Sequence, residues 1–184
     1  DSTFVEDAAV LIGSGAMITR PGAPSRRGET AAIRPALRPH FPRPASIRPP
    51  GTLDGGDICD AGQAVLIGLS ERTNEEGARQ LAVWLYGRGI ESRTVDIRTI
   101  PGILHLKSGI AFLGEGRLAV VKALAGRPEF SGFEEVGVPA REEYAANCLR
   151  VNGTFIVPAG YPGFSSVLRT LGLPVVELDM SEFR

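Results

Sequence analysis

Two histidines occur in the 184-residue chain, and one of them, His105, stands between two leucines in Gly102-Ile-Leu-His-Leu-Lys-Ser-Gly109. An imidazole titrates near neutrality, so it suits proton transfer; set in an apolar run it is more often a satisfied structural side chain. The first use needs a carboxylate in reach, because an Asp fixes the tautomer of the ring and raises its basicity. Thr52-Leu-Asp-Gly-Gly-Asp57 offers two, Asp54 and Asp57, around a glycine pair where the backbone turns sharply or approaches a neighbour closely. By itself that segment reads equally as a plain acidic turn. Three more carboxylates, Asp1, Glu6 and Asp7, crowd Phe4-Val5. They form either a solvated edge or the seat of a cationic ligand. In a regular strand Glu6 and Asp7 face opposite sides, so both enter one pocket only if the chain bends there. Arg26-Arg27 and Arg72 each precede a helical pattern, where a ligand carboxylate meets a guanidinium and free backbone N–H groups together; the plainer reading is surface arginine.

Other chemistries are poorly represented. The histidines and the two cysteines, Cys59 and Cys148, show no metal-ligand spacing, and neither a phosphate-binding loop nor a dinucleotide fingerprint is present. With 20 basic and 21 acidic residues the formal charge is −1, which draws the chain to neither nucleic acid nor an anionic membrane. The Arg/Pro-rich tract from Arg34 to Pro50 lacks aromatic interleaving and reads as a solvated loop. Apolar runs such as Ala8–Gly13 and Leu118–Val121 are too short to span a bilayer, and no basic segment followed by an apolar one opens the chain. The expectation is a cytoplasmic protein with reduced thiols and a small-molecule partner, with pairing into a homodimer left open.

These residues need elements to place them. The chain has 23 glycines and 14 prolines, a composition suited to a turn-rich sheet protein. Four times two apolar runs flank a glycine turn: Ala8–Ile12 with Ala16–Thr19, Ile58–Asp60 with Ala64–Ile67, Ile110–Leu113 with Leu118–Val121, and Cys148–Val151 with Thr154–Val157. Each predicts a β-hairpin, and Asn152-Gly153 is the clearest turn because type I′ geometry needs positive φ at both central residues. The turns recur at intervals of roughly 40–55 residues, the mark of a repeated unit. After the second hairpin, Thr73 or Asn74 caps a helix with Ala78, Leu81, Ala82 and Leu85 on one face and Gly89 at its end. Tyr161–Leu171 predicts another helix, Glu29–His40 a poorer one because Pro35 falls inside it, and Arg127–Pro139 no clear period. Extended pieces follow at Arg93–Ile97 and Val175–Leu178. The unit is strand, strand, helix, strand, and four in series imply blades around an axis, with a site where turns and strand ends converge.

A resemblance extends this reading. Asp1-Ser-Thr-Phe-Val-Glu-Asp7, Ile18-Thr-Arg-Pro-Gly-Ala23, Ser25-Arg-Arg-Gly-Glu29, Pro50-Gly-Thr-Leu-Asp-Gly-Gly-Asp57, Gly68-Leu-Ser-Glu-Arg-Thr-Asn74, Leu104-His-Leu-Lys-Ser108, Tyr144-Ala-Ala-Asn-Cys148 and Pro158-Ala-Gly-Tyr-Pro162, in this order, closely resemble the dimethylarginine dimethylaminohydrolase family of the guanidine-modifying (pentein) superfamily. The resemblance implies an α/β fold, a five-bladed propeller of ββαβ units, of which residues 1–184 would supply about four blades of a single domain incomplete at both ends. It implies hydrolysis of N-methylated arginine to citrulline and a methylamine without metal or cofactor. His105 would be the general acid and base with Asp54 as its partner; Asp1, Glu6 and Asp7 would bind the substrate guanidinium, and Arg26 and Arg72 its α-carboxylate. The family's nucleophilic cysteine would lie a little beyond Arg184; Cys148 matches a family cysteine that is not the nucleophile, and Cys59 sits in a hairpin strand. Two alternatives stand beside this one. An arginine deiminase of the same superfamily would carry an inserted helical domain, for which the hairpins leave no room, and a non-catalytic fragment would keep the guanidinium pocket without the thiolate.

Overall fold

A computed structural model describes residues 4–183. The chain falls into two compact units, Asp1–Leu106 and Lys107–Arg184. Each unit holds two three-stranded sheets built on one plan, an antiparallel hairpin whose second strand pairs in parallel with a third.

In the first unit the hairpins are β1 (Ala9–Ile12) with β2 (Gly15–Ile18) and β4 (Ile58–Asp60) with β5 (Val65–Leu69). The parallel third strands are β3 (Ala45–Ser46) and β6 (Ser92–Asp96). As middle strands, β2 and β5 are buried at every position, and their near-continuous apolar sequences follow from having both faces covered. Between β2 and β3 runs α1 (Thr30–Leu37), with Pro35 inside it; it ends before His40, as expected where proline removes a ladder donor. Between β5 and β6 runs α2 (Glu75–Tyr86), whose cap is Asn74 and whose first turn carries Glu75 and Glu76. Ala78, Leu81 and Leu85 of α2 enter the core with Val10, Ile12, Met17, Leu53, Ile58, Val65 and Ile67.

In the second unit, β7 (Ile110–Gly114) pairs with β8 (Arg117–Val120), and β10 (Leu149–Val151) with β11 (Thr154–Pro158). Asn152 and Gly153 have φ of 48° and 83°, as the type I′ turn requires. The parallel strands are β9 (Glu134–Gly137) and β12 (Val175–Leu178). The last connection holds α3 (Pro162–Thr170), with Pro162 in the first turn where its missing N–H costs nothing. The β8–β9 connection, which has no period in sequence, holds only short 3-10 turns at Lys122–Leu124 and Pro128–Phe130. Gly126 and Gly132, at φ of 74° and 88°, punctuate it where an α-helix would otherwise run. The fold is thus α/β, four copies of the expected blade with a helix in three of them.

Candidate active site

All the candidate residues within the described chain belong to the first unit. The segment leading to β4 positions two of them. Leu53 bridges to Arg20, and a 3-10 turn over Gly55–Asp57 then rotates the chain so that Asp54 and Asp57 are both buried, at 1% and 0% exposure. The glycines between them are needed for close approach. A Cβ on Gly55 would collide with the Glu6 carbonyl, and one on Gly56 would lie 2.9 Å from His105 Cγ and 3.0 Å from Asp7 Oδ1. Acidic turn and histidine, 49 residues apart in sequence, are packed together through that missing side chain.

The bend required before β1 is present as a 3-10 turn over Val5–Ala8. It separates the two acids: Asp7 is buried and Glu6 exposed. Asp7 Oδ1 accepts from Gly56 N at 2.7 Å, and Asp7 Oδ2 accepts from Arg26 Nη1 at 2.6 Å. Asp1 lies outside the described residues.

His105 turns Nδ1 toward Asp57 Oδ2 at 3.4 Å, a charge contact longer than a good hydrogen bond. Burial acts to lower the pKa of His105, but the Asp57 contact and the charges of Asp57, Asp7 and Asp54 outweigh it, so the imidazole stays protonated above its ordinary range. Asp54 accepts from Gly22 N at 2.8 Å through Oδ1, while its Oδ2 is buried with no hydrogen-bond partner among the described residues. Burial first, then the charges of Asp7 and Asp57, push its carboxyl up; the Gly22 N–H and His105 oppose that. Asp7, Asp54 and His105 each bring an oxygen or nitrogen within 4.8 Å of the other two. A buried pair of carboxylates with an unused acceptor beside an imidazole suits a planar cation that donates several N–H groups.

The two arginines differ. Arg26 grips Glu29 with two prongs, at 3.1 Å and 2.9 Å, gives Nη2 also to Phe4 O at 3.1 Å, and meets Asp7. Its side chain is 11% exposed, and the bond to Glu29 followed by that to Asp7 holds it firmly protonated. Arg26 and Asp7, expected at opposite ends of one ligand, meet each other here. Arg72 is half-buried on the loop before α2, beside a cavity of about 450 Å³ lined by Ser70, Glu71, Ile97 and the loop to Leu104. The backbone of Arg72 lies so close to Gly22 that a Cβ there would clash, which holds this loop against the segment bonded to Asp54.

The sequence offers Asp57 beside Asp54 as a carboxylate for the imidazole and Thr73 only as a cap candidate, and it gives Ser70 and Thr73 no part in the site. Ser70 Oγ and Thr73 Oγ1 donate to Asp57 Oδ2 at 2.6 Å and 2.7 Å, and Leu106 N donates to Oδ1 at 3.0 Å. The hydroxyl pair three residues apart, just ahead of a helix cap, is a signal that could have found them. Cys59 is buried in β4 and Cys148 lies in the second unit; among the described residues the Asp7, Asp54 and His105 cluster includes no cysteine.

The repeated blade and the acid-rich site with its histidine define a guanidine-modifying class. A family model for arginine deiminase matches residues 1–126, and the chain belongs to that family. Within it, the chain is 42% identical over its whole length to N(G),N(G)-dimethylarginine dimethylaminohydrolase of Pseudomonas aeruginosa, covering 72% of that protein. It is 36% identical to the protein of the same name from Streptomyces coelicolor, covering 69% of it. A solved structure of the Pseudomonas enzyme, a cysteine-to-serine mutant complexed with citrulline, matches with a TM-score of 0.93 at 42% identity, over 100% of this chain and 71% of that one. The protein is a member of the dimethylarginine dimethylaminohydrolase branch. The N-terminal domain of ArgZ, an arginine dihydrolase from cyanobacteria, matches at a TM-score of 0.85 and 18% identity, a likeness of fold alone.

Proposed function

We propose that the protein hydrolyses N-methylated arginine, asymmetric dimethylarginine or the monomethyl form, to citrulline and a methylamine. The observation that carries this reading is the buried Asp54 Oδ2, an acceptor with no hydrogen-bond partner among the described residues, set beside Asp7 and His105. A buried acceptor left unpaired is costly, and a guanidinium would satisfy it with its own N–H groups while neutralising the carboxylates. Asp7 and Asp54, with the exposed Glu6, bind the guanidinium in this reading, Asp1 is proposed for the same task from the sequence alone, and Arg72 holds the α-carboxylate.

A guanidinium resists attack because its charge is delocalised, so its central carbon needs a strong nucleophile and its departing amine needs a proton. In the family's chemistry a thiolate adds to that carbon. Protonated His105 then gives its proton to the methylamine as the C–N bond breaks, and neutral His105 takes a proton from the water that displaces the thiolate. A histidine held protonated above its usual range suits the first half of this cycle. Arg26, engaged by Asp7 and Glu29, reaches a substrate carboxylate only if those contacts are shared or exchanged.

The test is release of citrulline from asymmetric dimethylarginine compared with arginine. Preferential turnover of the methylated substrate is expected; arginine turned over far better would overturn the reading. Calorimetric binding of methylarginine with no product would favour the second reading, a guanidinium-binding protein without catalysis.

A further inference from the structure

The geometry points to Asp57 as a positioning residue that couples proton exchange at His105 to the placement of Arg72, an assignment that rests on the reading of the site just given. Its carboxylate joins three segments distant in sequence. From its own turn, Asp57 N donates to Asp54 O at 3.1 Å. From the loop before α2, Ser70 Oγ and Thr73 Oγ1 both donate to Oδ2. From the histidine segment, Leu106 N donates to Oδ1 while His105 Nδ1 stands against Oδ2. The same hydroxyls hold the loop that carries Arg72: Ser70 Oγ accepts from Arg72 N at 3.0 Å and Thr73 N at 3.1 Å, and Thr73 Oγ1 accepts from Asp54 N at 3.1 Å. Gly68 makes the junction possible, since a Cβ there would lie 2.8 Å from Leu106 Cβ and 3.1 Å from Asp57 Oδ1.

The coupling comes from competition for one oxygen. Oδ2 has two lone pairs directed by sp² geometry, and two hydroxyl protons at short range occupy them. That accounts for His105 Nδ1 standing off at 3.4 Å. A disturbance of the Ser70 hydroxyl therefore acts in two directions: it loosens the backbone of Arg72, and it frees an acceptor site that His105 then closes upon. The charged groups facing His105 are Asp7, Asp54 and Asp57; the Asp57 carboxylate bonds the Arg72 loop through the Ser70 and Thr73 hydroxyls, whereas Asp54 reaches that loop through its backbone N–H.

The experiment follows the ring signals of the two histidines by NMR through a pH titration of the full chain, with His40 as internal control. It is paired with calorimetry using asymmetric dimethylarginine and N,N-dimethylguanidine, which lacks the α-carboxylate. In Ser70→Ala the titration midpoint of His105 should rise, affinity for dimethylarginine should fall about tenfold, and affinity for dimethylguanidine should stay the same. In Asp57→Asn the midpoint should fall instead. Opposite shifts in the two variants support the coupling. An unchanged His105 midpoint in Ser70→Ala, or equal weakening of both ligands, overturns it. Should Asp57→Asn fail to fold by circular dichroism, Thr73→Val, which removes the other hydroxyl, must raise the midpoint as Ser70→Ala does, and no rise overturns the assignment. A wild-type protein that binds neither ligand overturns the functional reading alone, since the opposite His105 shifts still report on Asp57.

Discussion

The two units bury different things. In the first, the buried polar side chains are Asp7, Thr19, Asp54, Asp57, Ser70 and Thr73; among the described residues of the second there is Ser165. The second unit instead buries Phe130, Phe155 and Phe164 with aliphatic neighbours from its strands. Burying carboxylates opposes folding unless each finds donors, and the first unit supplies them: Gly56 N and Arg26 to Asp7, Gly22 N to Asp54, and two hydroxyls with Leu106 N to Asp57. The same blade plan thus serves two ends. Both units rest on an apolar core, and the first in addition accepts buried charge in order to arrange a site.

The comparison is broken most severely by substitutions at the extremes of each side. His105→Ala should lower citrulline release by about 10²–10⁴-fold with the circular dichroism spectrum unchanged; a variant that kept most of its rate would return His105 to a structural role. Phe155→Ala or Phe164→Ala should cost about 3–5 kcal/mol in urea unfolding, the cost of a cavity in a unit that depends on packing. Asp54→Asn sharpens the contrast, because function and stability should move oppositely. The folded protein raises the Asp54 pKa, so the native state binds the proton more tightly and loses stability as pH rises through that pKa. At pH 7 the amide should therefore raise Tm while weakening dimethylarginine binding by about tenfold or more. A lowered Tm with affinity unchanged would reverse that account.

His105 carries the complementary sign. Its folded pKa lies above 6.5, so its contribution to stability is complete below the unfolded value and is lost as pH rises through the folded one. The stability difference between wild type and His105→Gln should shrink over that window, and a difference that grew with pH would contradict it. Smaller still, Asn74→Ala should cost about 1–2 kcal/mol, since its side chain accepts from both Gly77 N and Thr52 N. Glu76→Gln, which breaks an exposed pair with Arg79, should leave the urea midpoint unchanged within error.

Much of this was legible in the sequence where local chemistry decides structure. Asn152-Gly153 dictates its turn through positive φ, Asn74 marks the start of α2, and the missing period of Arg127–Pro139 foretold a connection without an α-helix. The site was legible as a set of residue types but not as a set of pairs. Nothing local says that the 3-10 turn after Asp54 brings Asp57 against His105, or that Arg26 meets Asp7 across 19 residues. Those pairings depend on Gly55, Gly56 and Gly68 admitting neighbours distant in sequence. Such contacts are set by tertiary packing, which a strand pattern does not encode.

The most direct measurement is the NMR titration of His105 with and without saturating asymmetric dimethylarginine. A guanidinium seated between Asp7 and Asp54 would neutralise the carboxylates that favour the protonated ring and add a repelling charge, so the His105 midpoint should fall while that of His40 stays fixed. A His105 midpoint unmoved by a ligand shown to be bound would place the guanidinium elsewhere and contradict the account.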